Sequence, residues 1–234
     1  MNPTIIDIPS LRDDRLAETI PVKTWGGGPV DDPTKTFVTF RTRALDSNFK
    51  GATLGFFTED WRFAAVWREP SRYARYFLEC GLAAVCEIDC SVWRDASREE
   101  QKAAIFRTRM VSRVFQGHGL KVTPNLSWAD EESFHFCFKG IPRGCPVAAL
   151  ECVTPGGNPE DRQRFIAGLT EAVNQVNPRT ILIYGGSSHQ RWLTPALPEG
   201  PRYVLLDSFS RARAQFLKRE AQKNQLSLFV KEAA

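Results

Sequence analysis

Val147-Ala148-Ala149-Leu150-Glu151-Cys152-Val153, then Asn158-Pro159-Glu160-Asp161, then Thr180-Ile181-Leu182-Ile183-Tyr184 is the stretch from which the fold can be read. Residues 147–153 and 180–184 are short apolar runs of strand length, bounded by Gly, Pro and Ser turn signals. Between them, Asn158 offers a helix N-cap, Pro159 suits the first helical position, and Glu160 and Asp161 place acids in the first turn. Phe165, Leu169, Val173 and Val176 then recur on one helical face. Strand, helix and strand in that order predict a βαβ unit with parallel strands, because a parallel pair needs a long crossover.

The same alternation continues outward. Upstream, residues 52–57, 83–88, 120–124 and 133–138 read as strands, and residues 71–80 as a helix closed by Gly81. Ser97 with Glu100 makes a capping box that opens a second helix through Phe115. Its apolar face is read as Ala103, Phe106, Met110 and Val114, with Lys102, Arg109 and Arg113 on the other side. Downstream, residues 203–206 form the last strand and residues 211–224 the closing helix. The fold class expected is therefore α/β: a largely parallel sheet of alternating strands and helices, TIM-barrel-like with the barrel complete or incomplete. A doubly wound open sheet is the alternative, but no Gly-x-Gly-x-x-Gly marks a dinucleotide crevice. Residues 1–36, rich in Pro, Asp and Gly, read as an irregular N-terminal arm; residues 37–209 form the α/β domain, and residues 210–234 a C-terminal helix and tail.

With 234 residues and 42% hydrophobic content, the chain can bury a sizeable core without disulfides or metals. Its 31 Lys+Arg against 27 Asp+Glu leave +4, an excess that permits nucleic-acid contact without requiring it. No apolar run approaches the ~18 residues of a membrane span, and Met1-Asn2-Pro3 opens no signal sequence, so no membrane contact and a cytoplasmic location are expected. The six cysteines form no Cys-x-x-Cys pair; Cys86, Cys137 and Cys152 lie in apolar runs and read as core thiols. A metal site from Cys86, Cys90 and Cys145 would need convergence that neither spacing nor a nearby His supports.

Polar residues recur after several strands, where barrel loops carry sites. Asp60, Asp89, Asn125, Glu151 and Asp207 all fall at or near predicted strand ends and are the candidate catalytic residues. Asp60, Asp89 and Glu151 are the candidate ligands of Mg or Mn for phosphodiester chemistry. The alternative for each is a helix-capping or loop-stabilising role. Glu87 shares a strand and, by alternation, a facing with Asp89. His135-Phe136-Cys137 offers only half of a His-hydrophobic-His metal pattern, and Tyr73 with Tyr76 is an aromatic pair suited to packing. Arg211, Arg213, Lys218 and Arg219 gather on the closing helix and are the candidate DNA contacts, or simply a solvated face.

Two resemblances bear on function. Gln225-Leu226-Ser227-Leu228-Phe229 resembles the bacterial sliding-clamp-binding peptide: a Gln to hydrogen-bond and Leu and Phe anchors for a shallow groove. Such a string arises by chance in on the order of one chain in a thousand of this length. Lys231 and Glu232 stand where the archaeal and eukaryotic version carries aromatics, favouring the bacterial DNA polymerase III beta clamp as partner. Alternatively, Leu226, Leu228 and Phe229 form a last strand or dock on the core. The second resemblance is carried by Leu54-Gly55-Phe56-Phe57-Thr58-Glu59-Asp60, by Gly119-Leu120-Lys121-Val122-Thr123-Pro124-Asn125-Leu126-Ser127-Trp128, and by the run from Ser133 through Pro142. These strings are similar to an uncharacterised DUF4417-like family of phages, plasmids and mobile elements, which implies a mobile-element setting without an assigned activity. Together they lead to the expectation of a replication-associated protein recruited to the clamp, either an initiator or a metal-dependent DNA-processing enzyme. The alternatives are a non-enzymatic clamp adaptor or inhibitor, and a hydrolase acting elsewhere in metabolism.

Overall fold

The computed structural model describes residues 7–25, 32–40, 49–154 and 158–232, with side chains as far as Asn224. Eight strands occur among them: β1 (Lys23–Thr24), β2 (Thr36–Thr39), β3 (Thr53–Gly55), β4 (Ala84–Cys86), β5 (Val122–Thr123), β6 (Val147–Glu151), β7 (Thr180–Tyr184) and β8 (Arg202–Leu206). Every strand pair is parallel. Hydrogen bonding groups them as a five-stranded sheet, β1 to β5, and a three-stranded sheet, β6 to β8, each in chain order. Just past β5, Asn125 bridges in parallel to Ala149 of β6. Leu126 N–H donates to the Ala149 carbonyl at 2.8 Å and Ala149 N–H to that of Pro124 at 2.8 Å, linking the two sheets. The molecule is thus an α/β fold of parallel sheets with helices between the strands. Closure of β8 onto β1 is not found among the described residues.

Period-2 alternation sorts the strand residues into two layers. Phe37, Phe57, Cys86, Val147, Ala149, Leu182, Tyr184 and Leu206, drawn from both sheets, pack together in one interior cluster. Their neighbours Val38, Leu54 and Val85 face outward toward the helices α1 (Ala64–Arg68), α2 (Pro70–Glu79) and α3 (Arg98–Gly117). Ala148, Leu150, Ile181 and Ile183 face α5 (Pro159–Val176) and the short helices α4 (Phe134–Cys137) and α6 (Gln190–Leu193). The βαβ unit expected from residues 147–184 is present, with the Asn158 side chain accepting from Asp161 N–H at 2.8 Å. Phe165, Leu169 and Val176 are buried on α5, and Val173 is partly so.

Three expectations are corrected. Residues 133–138 are not a strand: Asp130 caps a 3-10 turn (Glu131–Ser133) by accepting from Ser133 N–H at 3.1 Å, and the chain continues into α4. That local capping outweighs the alternation of Phe134, Phe136 and Phe138. On α3 the Ser97 to Glu100 capping box is as expected, but the buried face is Ala104, Ile105, Thr108, Arg109, Val111, Ser112 and Phe115. Arg109, read from sequence as outward-facing, is fully buried because a carboxylate waits for it beneath the helix. The closing helix does not stop at Asn224: α7 runs Phe209–Glu232, with no Gly or Pro to break it.

The N-terminal arm also enters the core. It supplies β1, its Ala17 N–H donates to the Val122 carbonyl at 2.8 Å, and Leu11, Leu16 and Ala17 are buried. Residues 1–6 and 26–31 of the arm lie outside the described residues.

Candidate functional site

The strand ends carry the expected polar residues, and the geometry separates them. Period-2 alternation places Glu151, last residue of β6, on the same face as the interior residues Val147 and Ala149. Asp89 stands three residues beyond β4 and Asn125 two beyond β5. Because β4 and β5 are paired neighbours, these two meet: Asn125 Nδ2 donates to Asp89 Oδ1 at 2.6 Å. Asp60, opening a 3-10 turn after β3, is tied to the next loop, with Ser91 N–H donating to its Oδ2 at 3.1 Å and Ser91 Oγ to its Oδ1 at 2.7 Å. Glu151 Oε1 accepts from Val153 N–H and from Thr154 N–H, the latter at 3.2 Å.

Asp89, Asn125 and Glu151 therefore form one electrostatic unit with Asp60 at its edge. Burial pushes Asp89 up to about 7, and the like charge of Glu151 adds to it; the Asn125 hydrogen bond opposes the shift, and Asp60 raises it further. Burial also raises Glu151, against the two N–H donors that favour its ionised form. Among the described residues, no basic side chain figures among the influences on Asp89. Asn125 is buried, and its Oδ1 has no hydrogen-bond partner. A near-neutral carboxylic acid, a second carboxylate and an orphaned amide oxygen are thus held together at the edge of the interior cluster. Such a set can hold or pass a proton near pH 7, or accept a cation.

Beneath this unit lies a pair that the sequence pattern did not reveal. Glu87 and Arg109 are both fully buried and in direct contact. Arg109 Nε donates to the Lys139 carbonyl at 3.1 Å and Nη2 to that of Cys137 at 3.2 Å, while Asn125 N–H donates to Glu87 Oε2 at 2.9 Å. The pair thereby fixes the backbone from which the Asn125 amide reaches Asp89. The two acids that the sequence placed on one strand have different partners: Glu87 meets Arg109, and Asp89 the Asn125 amide. A Glu at a strand end facing an Arg in the next helix was the available signal.

The remaining candidates fall elsewhere. Asp207, after β8, accepts from Ser187 Oγ and pairs with Arg211 Nε at 2.9 Å, so it organises the start of α7. Arg213, Lys218 and Arg219 are exposed along α7. Gln225, Leu226, Ser227, Leu228 and Phe229 lie on the helical backbone of α7; their side chains are outside the described residues. Among the described residues, no group of three or more His, Cys, Asp or Glu side chains is arranged to hold a metal ion. Cys86, Cys90, Cys137, Cys145 and Cys152 are free buried thiols that burial shifts upward. A pocket of about 300 Å³ is lined by Asp130, Glu131, Glu132, Phe134, Arg164 and Ala167. Its charges are largely engaged: Asp130 with Arg98 at 2.8 Å, and Arg164 with Asp161 at 2.9 Å.

No helix among the described residues is long and apolar enough to cross a membrane. Comparison with known proteins gives a consistent setting. A family profile described as "Domain of unknown function (DUF4417)" matches residues 29–194, more than half of the chain. The chain is 36% identical over 135 residues to the "Gene 1 protein" of Mycobacterium phage D29, covering 58% of this chain and 49% of that protein. It is 32% identical over 139 residues to the "Gene 1 protein" of Mycobacterium phage L5, covering 59% of each. The chain thus spans about half to three-fifths of these curated relatives. No solved structure matches.

Proposed function

The chain belongs to the DUF4417 family and is phage-related, and on that premise we propose that it processes DNA at the host replication machinery. In this proposal Asp89, Glu151 and Asn125 act on phosphodiester bonds with one Mg or Mn ion, and the tail from Gln225 to Phe229 tethers the domain to the bacterial sliding clamp. The single observation that carries it is the grouping of Asp89 with Asn125, whose Oδ1 is left without a partner, where burial and the like charge of Glu151 both disfavour an ionised Asp89. Two buried carboxylates within electrostatic reach of each other are repelled, and a divalent ion or a shared proton relieves that repulsion.

The donor set suits Mg in particular. Mg is commonly held by one or two carboxylates, with waters and substrate phosphates completing its shell. Asp89 and Glu151 supply those carboxylates, and the orphaned Asn125 Oδ1 supplies a neutral oxygen. Asp60 is read as a loop anchor, since both of its oxygens are engaged by Ser91. The ion, when bound, would polarise a phosphoryl oxygen and lower the pKa of a bound water. Asn125 holds Asp89 in place, Glu87 and Arg109 hold Asn125, and a proton on Asp89 near pH 7 would compete with the ion. The interior cluster drawn from both sheets supports a TIM-barrel-like closure of the eight strands around these strand ends.

Incubation with single- and double-stranded DNA in Mg or Mn tests the catalytic part. Strand cleavage by the wild type and its loss in Asp89→Asn are expected; no cleavage, or equal cleavage by both, refutes it.

A non-enzymatic clamp adaptor is the second proposal, favoured by the course of α7. Phe209 and Ala212 pack at its start, whereas residues 217–219 and 221–224 are exposed. The residues of α7 that lead to the peptide are therefore turned to solvent as far as Asn224. Purified bacterial clamp should bind the intact chain and not one carrying Leu228→Ala and Phe229→Ala, each truncation weakening binding by roughly 1 to 3 kcal/mol. Equal binding by the two chains, or binding by neither, refutes clamp recruitment in both proposals.

A further inference from the structure

The contacts that hold Asn125 and Asp89 do not end at Arg109. Arg109 Nε and Nη2 donate to the Lys139 and Cys137 carbonyls at 3.1 Å and 3.2 Å, so the loop after α4 completes the cradle that Glu87 begins. A fully buried guanidinium depends on each acceptor it has, because a displaced one leaves an uncompensated charge.

That loop is fastened in turn by the N-terminal arm. Leu11 N–H donates to the Gly140 carbonyl at 2.7 Å. Gly140 takes a φ of 80°, which glycine adopts without strain. A Cβ there would lie 2.3 Å from the Pro9 carbonyl oxygen and 3.5 Å from Arg109 Cδ, so arm, loop and Arg109 meet at one point.

The arm is also tied to α3, the helix that carries Arg109. Gln116 stands seven residues after Arg109, two turns along the same face, and is 1% exposed. Its Oε1 accepts from Arg12 N–H at 2.8 Å, and its Nε2 donates to the Arg12 and Arg15 carbonyls at 3.1 Å and 3.3 Å. Undocking the arm would strand a buried amide, which makes this a strong tie. Further on, Leu16 bridges in parallel to Val122 of β5, three residues before Asn125.

The arm therefore touches the three segments that place the site: the loop after α4, α3 and β5. From arm to carboxyl the contacts are continuous, running from Leu11 to Gly140, from Lys139 to Arg109, and from Arg109 to Glu87. Glu87 then accepts from Asn125 N–H at 2.9 Å, and Asn125 reaches Asp89 at 2.6 Å. An arm that only covered apolar surface would need Leu11 and Leu16, but neither the Gln116 amide nor a glycine at residue 140.

We infer that residues 9–17 are a positioning strap for the candidate site: docked on Gly140, Gln116 and Val122, the strap fixes Arg109 and, through Glu87 and Asn125, the carboxyl of Asp89. This rests on the reading of Asp89 and Asn125 as a site and adds the residues that position it.

The readout is hydrogen exchange of the Asn125 side-chain amide, followed by NMR in EDTA with isotope-labelled asparagine and identified by its absence in Asn125→Ala. The proton that Nδ2 shares with Asp89 should exchange slowly in the wild type. Gln116→Leu, which keeps the buried volume but releases the arm, and Gly140→Ala, which drives a methyl group at Pro9, should each speed that exchange about 10-fold or more. Ala74→Gly, which weakens α2 on the other apolar cluster, should leave it unchanged. In the wild type alone, low urea should release the Leu11 and Arg12 backbone amides and the Asn125 side-chain amide together, ahead of β6 and β7. Unchanged protection in both strap variants, equal loss in Ala74→Gly, or release of the Asn125 amide only with β6 and β7 overturns the strap. Faster exchange in both strap variants, with no Mn²⁺ bound by the wild type, supports the strap and removes the metal proposal alone.

Discussion

Replacing Asp89 by Asn should stabilise the protein at alkaline pH while abolishing the proposed chemistry. The side chain is displaced from its ordinary value of 3.8 to about 7 by burial first and by Glu151 next. A carboxyl whose folded pKa is raised binds its proton more tightly in the native state. Its stabilising contribution is therefore complete below about pH 4 and is lost as the pH rises through about 7. A difference of about 3 units at about 1.36 kcal/mol each sets a ceiling of about 4 kcal/mol. Solvent reaching the partly open side chain reduces the expected effect to about 2 kcal/mol. Asn is neutral at every pH and can still accept from Asn125 Nδ2, so Asp89→Asn removes the repulsion and keeps the hydrogen bond. For a chain of this length, about 2 kcal/mol corresponds to a Tm higher by about 4 to 8 °C. Thermal unfolding followed by circular dichroism should show that gap at about pH 8 and little difference at about pH 4. Equal Tm values at both pH values, or an Asn variant less stable at about pH 8, would refute the claim that Asp89 is electrostatically strained.

Two further perturbations probe the scaffold. Arg109→Met leaves Glu87 buried without its partner and should cost about 3 to 5 kcal/mol in denaturant unfolding; adding Glu87→Leu should recover much of this, and no recovery would argue against a compensated pair. Gly168→Ala directs a Cβ to within 2.1 Å of the Trp128 indole, so α5 should shift and the chain should lose about 1 to 3 kcal/mol by the same measurement.

The parts of this fold legible in the sequence are those where several local signals agree. Residues 147–184 combine two apolar runs with an N-cap, a first-turn proline and helical periodicity, and β6, α5 and β7 follow them closely. Where one signal stood alone it was overruled. Alternating Phe134, Phe136 and Phe138 suggested a strand, but Asp130 and Ser133 had already committed the backbone to a turn. Arg109 looked like a surface residue because a buried charge depends on a partner 22 positions away. β1 spans two residues, too few to show any period.

At the site, the acids at the strand ends were legible one by one, because strand-to-helix loops favour such residues. Their grouping was not: sequence could not show that Asp60 is consumed by Ser91, that Asp207 is turned toward Ser187 and Arg211, or that Asn125 is aimed at Asp89. Those outcomes depend on which strands are neighbours and on how far each loop runs before it turns.

The most direct test of the central claim is calorimetric titration of Mn²⁺ into the wild type and Asp89→Asn at about pH 8. One ion should be bound by the wild type, with affinity falling as the pH drops below about 7 and protons compete for Asp89, and binding should be lost in the Asn variant. Absence of binding by the wild type, or the same isotherm for both proteins, would contradict it.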